Sequence, residues 1–301
     1  MALLPRITGT LRNVQLKQTF GKLYELYRAD SLAKVGMFIF AFYLVVAIFG
    51  PMIAPYDPLA INKDAGGSVI RLSQPTAEHL FGTTNYGRDI FSQWLYGARV
   101  SLVVGSVAAL FATTLGTIIG LVAAYYGGWV DDVLMRFTDL VYGLPGLPFV
   151  IVLVFILGAN LFNIILVIAL IQWRITARVI RSEALSIKER PYIESAESIG
   201  ASDFRVIFLH ILPNVLPLVI LYMALTTAWS ILMEASISFL GFAAPDQFSW
   251  GRMMYQVYNA GAIRDAWWWV LPPGISIMLL VMSVFFLGRA LEKVTNPDLR
   301  H

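Results

Sequence analysis

The sequence predicts an all-α membrane protein with six transmembrane helices. Three observations carry that reading. Hydrophobic residues make up 58% of the 301 and charged ones only 14%, with a mean hydropathy of +0.70, a balance outside the soluble globular range. Five windows, 35–56, 100–130, 140–173, 206–233 and 266–288, contain no Asp, Glu, Lys or Arg. Each is long enough to cross about 30 Å of hydrocarbon, which takes about 20 residues. Finally, the basic residues are spread unevenly over the segments between those windows, which gives the chain a direction across the bilayer.

Taken in order, residues 1–34 carry Arg6, Arg12, Lys17, Lys22, Arg28 and Lys34. They lack a short apolar core ending in small residues, so they read as a cytoplasmic segment and not as a cleavable signal peptide. Residues 35–56 form the first span and 57–99 the first extracytoplasmic loop. A core of five spans follows over 100–288, beginning with 100–130. The window 140–173 is too long for one helix and is broken by GANLFN at 158–163. It reads as two spans joined by a tight turn, the second running to about residue 180. Residues 206–233 and 266–288 supply the last two, and 289–301 form a tail. With the N-terminus inside, 16 of the 22 Lys and Arg fall in cytoplasmic segments and six outside (Lys63, Arg71, Arg88, Arg99, Arg252, Arg264). Both termini are therefore expected in the cytoplasm of a multi-pass cell-membrane protein.

The two long outer segments, 56–99 and 234–265, are rich in aromatic and apolar residues, so packed, partner-facing structure is expected there. Trp267, Trp268 and Trp269 stand where an interfacial aromatic belt belongs. Composition also excludes several functions. The chain has no Cys, which removes disulfides, thiolate metal sites and cysteine nucleophiles. His79, His210 and His301 are scattered, against a His-based metal cluster, and a net charge of +3 in so apolar a chain does not suggest nucleic-acid binding.

One cytoplasmic block, 181–210, breaks the apolar pattern. Pro191 suits a first helical position, where its missing N–H costs nothing. From it Tyr192, Ala196 and Ile199 fall at i, i+4 and i+7 on one face. Gly200 permits a reversal, Ser202 is placed to cap a second helix and Asp203 to sit in its first turn. Phe204, Ile207 and Phe208 form an apolar stripe, and Pro213 marks a break before the next span. The expected result is a short helix–turn–helix knob with an acidic and aromatic surface, a docking element for a soluble partner. An ordinary solvated loop is the alternative.

The block ESAESIG at 194–200, nine residues, then HILP at 210–213 is similar to the EAA motif of ABC importer permeases. Ser195 stands where the motif has its first Ala, and His210 where it has Ile. HLFGTTNYGRDIFSQWLYGARVSLVVG, AAYYGGWVDDVLMRFTD, EASISFLGFAAPDQFSWG and NPDLR resemble the C-type permease subunit of dipeptide and oligopeptide importers. LAKVGMFIFAFYLVVAIFGPMIAPYDP resembles that subunit's extra first helix. The resemblance covers about residues 28 to 301. It implies a type I ABC importer permease fold and a pore shared with a homologous second permease subunit. It also implies two cytoplasmic ATPases that spend ATP and Mg²⁺, and an extracytoplasmic solute-binding protein that delivers the cargo. Peptides are the implied cargo, with nickel chelates, glutathione or oligosaccharides carried by close relatives. Glu194, Ala196, Glu197, Gly200, Asp203 and Arg205 would lie at the ATPase contact.

The chain shows no energy source of its own. No G-x-x-x-x-G-K-[ST] phosphate loop occurs; the only Gly-Lys pair, Gly21-Lys22, is followed by Leu. No cofactor and no catalytic residue are expected in it. The charge-free windows hold no acid or base for an ion relay, which argues against a secondary carrier or channel. Remaining candidates each have two readings. Gly116 and Gly120, in a small-xxx-small series with Ala124, are either the seam with the second permease or packing within this subunit. Pro145 and Pro148 lie inside the expected third span, as a gate-lining bend or a static kink. Pro272 and Pro273 read as first-turn prolines. Glu234 either pairs locally or serves an outer gate, and Arg88 and Asp89 are expected to pair structurally in the outer loop.

Overall fold

A computed structural model describes residues 30–245 and 247–295. The basic residues of the N-terminal segment before Asp30, and the tail motif NPDLR, lie outside the described residues. The described residues are mainly helical, with no β-strand beyond two isolated bridges in the segment between the first two helices. The helices are α1 (Ser31–Ile53), α2 (Ile90–Tyr126), α3 (Gly128–Tyr142), α4 (Gly146–Leu157), α5 (Leu161–Lys188), α6 (Pro191–Ser198), α7 (Asp203–Phe242), α8 (Trp250–Asn259) and α9 (Trp267–Thr295). Five of them, α1, α2, α5, α7 and α9, are long and apolar enough to cross a membrane, and the number rises to six if the bent pair α3 and α4 is counted as one span.

Side-chain caps fix where several helices begin. Asp30 accepts from Leu32 N–H at 2.9 Å at the start of α1. Asp89 accepts from Ser92 N–H at 2.7 Å and starts α2 ten residues before the charge-free window does. A buried anion at a helix N-terminus is favoured by the unpaired N–H groups and the helix dipole. His79 Nδ1 donates to the same carboxylate at 2.9 Å, so Asp89 pairs with His79 and not with Arg88. Asn160 accepts from Asn163 N–H at 2.9 Å, and the Asn163 amide donates to the Leu157 and Gly158 carbonyls. GANLFN is thus the tight turn its composition suggested.

The expected third span is differently built. It is not one helix with Pro145 and Pro148 inside it: α3 and α4 meet at 89°. Pro145 stands at the cap of α4 and Pro148 in its first turn, where a missing N–H breaks no hydrogen bond. Twelve residues rise only about 18 Å, short of a bilayer. Pro272 and Pro273 show the opposite departure, since they lie in the second turn of α9 and not the first.

α2 is the central post, packed along α5, α7 and α1. Gly116 and Gly120 face α5 inside the subunit. A Cβ on Gly116 would stand 2.5 Å from the Trp173 carbonyl oxygen, and one on Gly120 2.6 Å from that of Ala177. Backbone contact this close needs small residues. At the other end of α2 an aromatic core forms. Trp250 is fully buried, donates to the Trp94 carbonyl at 3.0 Å and stacks on its ring, while Trp94 Nε1 donates to Ser276 at 2.7 Å. The 54–89 segment closes on itself through Asn62 N–H to Gly87 O (2.8 Å) and is tied to α2 by Gln93 Nε2 to Pro58 O (2.9 Å).

Candidate functional site

The block singled out from sequence forms a knob at the end of α5 opposite the aromatic core. Pro191 is the first residue of α6, as its chemistry suggests. Gly200, at φ +82°, makes the reversal after α6, a conformation that costs an L-residue with a Cβ about 1–2 kcal/mol. Ser202 stands at the cap position of the next helix, but its hydroxyl makes no capping bond.

The first correction concerns the knob's faces. Its inward face is Ile193 and Ala196, not Tyr192, Ala196 and Ile199. Ile193 is 1% exposed, packed with Tyr125, Ala184, Ile187 and Val206, whereas Tyr192 is exposed and Ile199 is 87% exposed. In a helix of eight residues, apolar side chains one position apart compete for the same stripe, and the pattern alone chose the wrong one. The second expected stripe divides likewise: Ile207 is buried, while Phe204 (70% exposed) and Phe208 turn outward with their rings 4.3 Å apart.

The second correction is to the break at Pro213. The chain does not break there; α7 continues through Pro213, and its one non-helical residue is Gly241, at φ +93°, beside its end at Phe242. Val206–Ile211 widens into a π-turn, with Leu212 N–H bonding to Ile207 O. The wider turn takes up the ring that an α-turn would set against the carbonyl four residues back. The knob is therefore one short helix plus the exposed lower end of a transmembrane rod.

Polar contacts pin it to the bundle. Tyr125 Oη donates to Asp203 Oδ1 at 3.1 Å, and the Lys188 ammonium donates to the Tyr125 carbonyl. Arg181 pairs with Asp131 and Arg178 with Asp139, tying α5 to α3. Of the candidate contact residues, Glu194, Glu197, Gly200 and Arg205 are exposed, Asp203 is exposed while held by Tyr125, and Ala196 is turned inward. Ile193, Tyr125 and Lys188 escaped the sequence reading. The signal for Ile193 was its three-residue spacing to Ala196; nothing local marked the other two.

Comparison with known proteins decides what this architecture belongs to. The family described as binding-protein-dependent transport system inner membrane component matches residues 116–296, 181 of the 301, and the N-terminal transmembrane domain of oligopeptide transport permease C matches residues 26–73. The chain is 36% identical over 278 residues to the dipeptide transport system permease protein DppC of Alkalihalophilus pseudofirmus, covering 92% of this chain and 89% of that one. It is 36% identical to the DppC of Bacillus subtilis (91% and 84% covered). A putative peptide transport system permease protein of Brucella suis is 35% identical over 268 residues (89% and 88%). The chain belongs to the binding-protein-dependent permease family.

In this permease the remaining candidates separate. Glu234 is not at the end of a span: α7 continues past it, and the carboxylate is 2% exposed. Ser238 Oγ donates to it at 2.7 Å and Ser101 Oγ at 3.4 Å. The charge-free window 206–233 stopped one residue short of an acid that the helix carries inside. Pro145 and Pro148 sit at the bend beside Arg174, whose guanidinium lies 5.0 Å from the Tyr142 ring centre.

Proposed function

We propose that this permease is one half of the translocation pathway of a peptide importer, paired with a homologous second permease subunit in the cell membrane. Both termini lie in the cytoplasm. An extracytoplasmic binding protein delivers the peptide, and two cytoplasmic ATPases bind the 191–208 knob and spend ATP and Mg²⁺ in place of this chain. The knob carries the reading: Tyr192, Ile199, Phe204 and Phe208 are exposed beside Glu194 and Glu197 on an element pinned to the bundle. Apolar side chains ringed by charge and held rigidly are the surface a protein partner buries. The printed names of the relatives support peptides as cargo.

In operation, nucleotide-driven closure of the ATPases draws this knob and that of the second permease together. The spans tilt, the pathway opens toward the loaded binding protein, and hydrolysis resets it. The test is the four-subunit complex with its binding protein in proteoliposomes, comparing wild type with Glu194→Arg and Gly200→Val. Each variant is expected to insert normally and to lose peptide uptake about tenfold or more, as hot-spot losses do, while the ATPases still hydrolyse ATP. Uptake at the wild-type rate in both variants would show that the knob is not the docking site.

A further inference from the structure

A second feature lies at the opposite end of the molecule from the knob. Asp57, Leu59, Tyr96, Arg99, Gln247 and Phe248 line an open cleft of about 510 Å³, within the size range of small-molecule sites. Asp57 and Pro58 follow the end of α1, Tyr96 and Arg99 lie on α2, and Gln247 and Phe248 precede α8. The chain thus brings together three segments nearly 200 residues apart.

Two charges in this cleft are left open. Among the described residues the Arg99 guanidinium makes no ion pair and no hydrogen bond. The Asp57 carboxylate accepts only the Leu59 N–H, at 2.7 Å, and the two side chains are not bonded to each other. Arg99 is exposed to the cleft, and its fork of N–H donors matches a carboxylate. Between the charges the wall is apolar: Leu59, Val100, Val103, Leu161 and Phe248. Val100, Leu161 and Gln247 also wall the small cavity over Glu234 and Ser249, so the cleft floor adjoins the buried carboxylate.

We infer that this cleft receives a short zwitterionic peptide, Arg99 taking its C-terminal carboxylate and Asp57 its N-terminal ammonium. Two opposite charges with apolar surface between them select a ligand of that pattern. An anionic lipid headgroup would meet Asp57, and a simple cation would meet Arg99. Two extended residues span about 7 Å, which fits a cleft of this size. The assignment rests on the peptide-importer reading and adds to it the part of the permease that reads the peptide ends.

The experiment uses the complete importer in proteoliposomes, with dialanine, dialanine amide and N-acetyl-dialanine as cargo. Uptake is measured for wild type, Arg99→Gln, Arg99→Lys and Asp57→Asn with the same binding protein. The ratio of variant to wild type for each cargo then cancels that protein's own preference. Arg99→Gln is expected to lower dialanine uptake about tenfold, the loss of one charged hydrogen-bonded contact, and amide uptake less than about twofold; Arg99→Lys should recover part of the loss. Asp57→Asn should weaken dialanine and spare the N-acetyl form by similar factors. Equal losses for all three cargoes, or none, overturn the assignment while leaving the importer reading intact. Wild type that takes up no peptide with ATP present overturns both.

Discussion

The two ends of this permease are built on opposite plans. At the aromatic end, several side chains that carry polar atoms are turned inward and bonded: Trp250 to the Trp94 carbonyl, Trp94 to Ser276, His79 to Asp89. At the knob end, large apolar and charged side chains face outward, and a thin inner face of Ile193, Val206 and Ile211, with the Tyr125–Asp203 and Lys188–Tyr125 bonds, holds the element in place. These bonds make one end a source of stability, with Asp57 and Arg99 left open only in the cleft beside them. The knob end withholds little apolar surface from water and presents the rest, the pattern of an interaction surface. The contrast explains why burial, more than residue type, separates structural from functional positions in this chain.

Substitutions at the two ends should therefore split along different measurements. The largest effect on stability is expected from Trp250→Ala. Removing a fully buried indole and its hydrogen bond should cost about 3–5 kcal/mol, read as a large drop in the unfolding midpoint of the detergent-solubilised protein. A change under about 1 kcal/mol would mean that the aromatic end is not the stability core. Next comes Asp89→Ala, which strips the α2 cap and strands His79. About 2 kcal/mol is expected from the lost cap and the unpaired buried group, checked by the same melt and by earlier amide exchange in residues 90–93. The smallest stability effect belongs to Ile199→Ser in the knob, within about 0.5 kcal/mol of wild type as for other exposed positions. Its consequence should appear instead as weaker co-purification of the ATPases. A destabilised fold with normal ATPase binding would reverse the comparison.

Much of the fold was legible in the amino acids because a bilayer imposes a length on apolar runs. The five charge-free windows each overlap a helix long and apolar enough to cross a membrane, and GANLFN is a turn for the reason its two asparagines suggest. Helix ends were less legible. α2 begins at Ile90 and α7 runs 40 residues, because a helix packed against neighbours does not stop where the hydrocarbon does. Charges such as Arg99 and Glu234 then fall inside helices that a charge-free criterion cuts short. Pro145 looked like a kink because sequence does not reveal that the backbone turns 89° beside it. The knob was half legible. Pro191 and Gly200 act through their own backbones, so their roles show locally, whereas the choice between Tyr192 and Ile193 depends on Tyr125 and Ala184, far away in the chain. Arg99 and Asp57 gave no signal, since 42 residues separate them and only the fold makes them neighbours.

The continuation of α7 through Pro213 has a geometric result. From Asp203 to Leu240, at about 1.5 Å per residue, it makes a rod just under 60 Å long, with the knob's phenylalanines near one tip and Glu234 within about two turns of the other. Leaning such a beam by about 10° around its foot sweeps its head sideways by about 10 Å. A push of modest angle on the lower tip thus arrives at the far side of the bilayer as a displacement as wide as a helix.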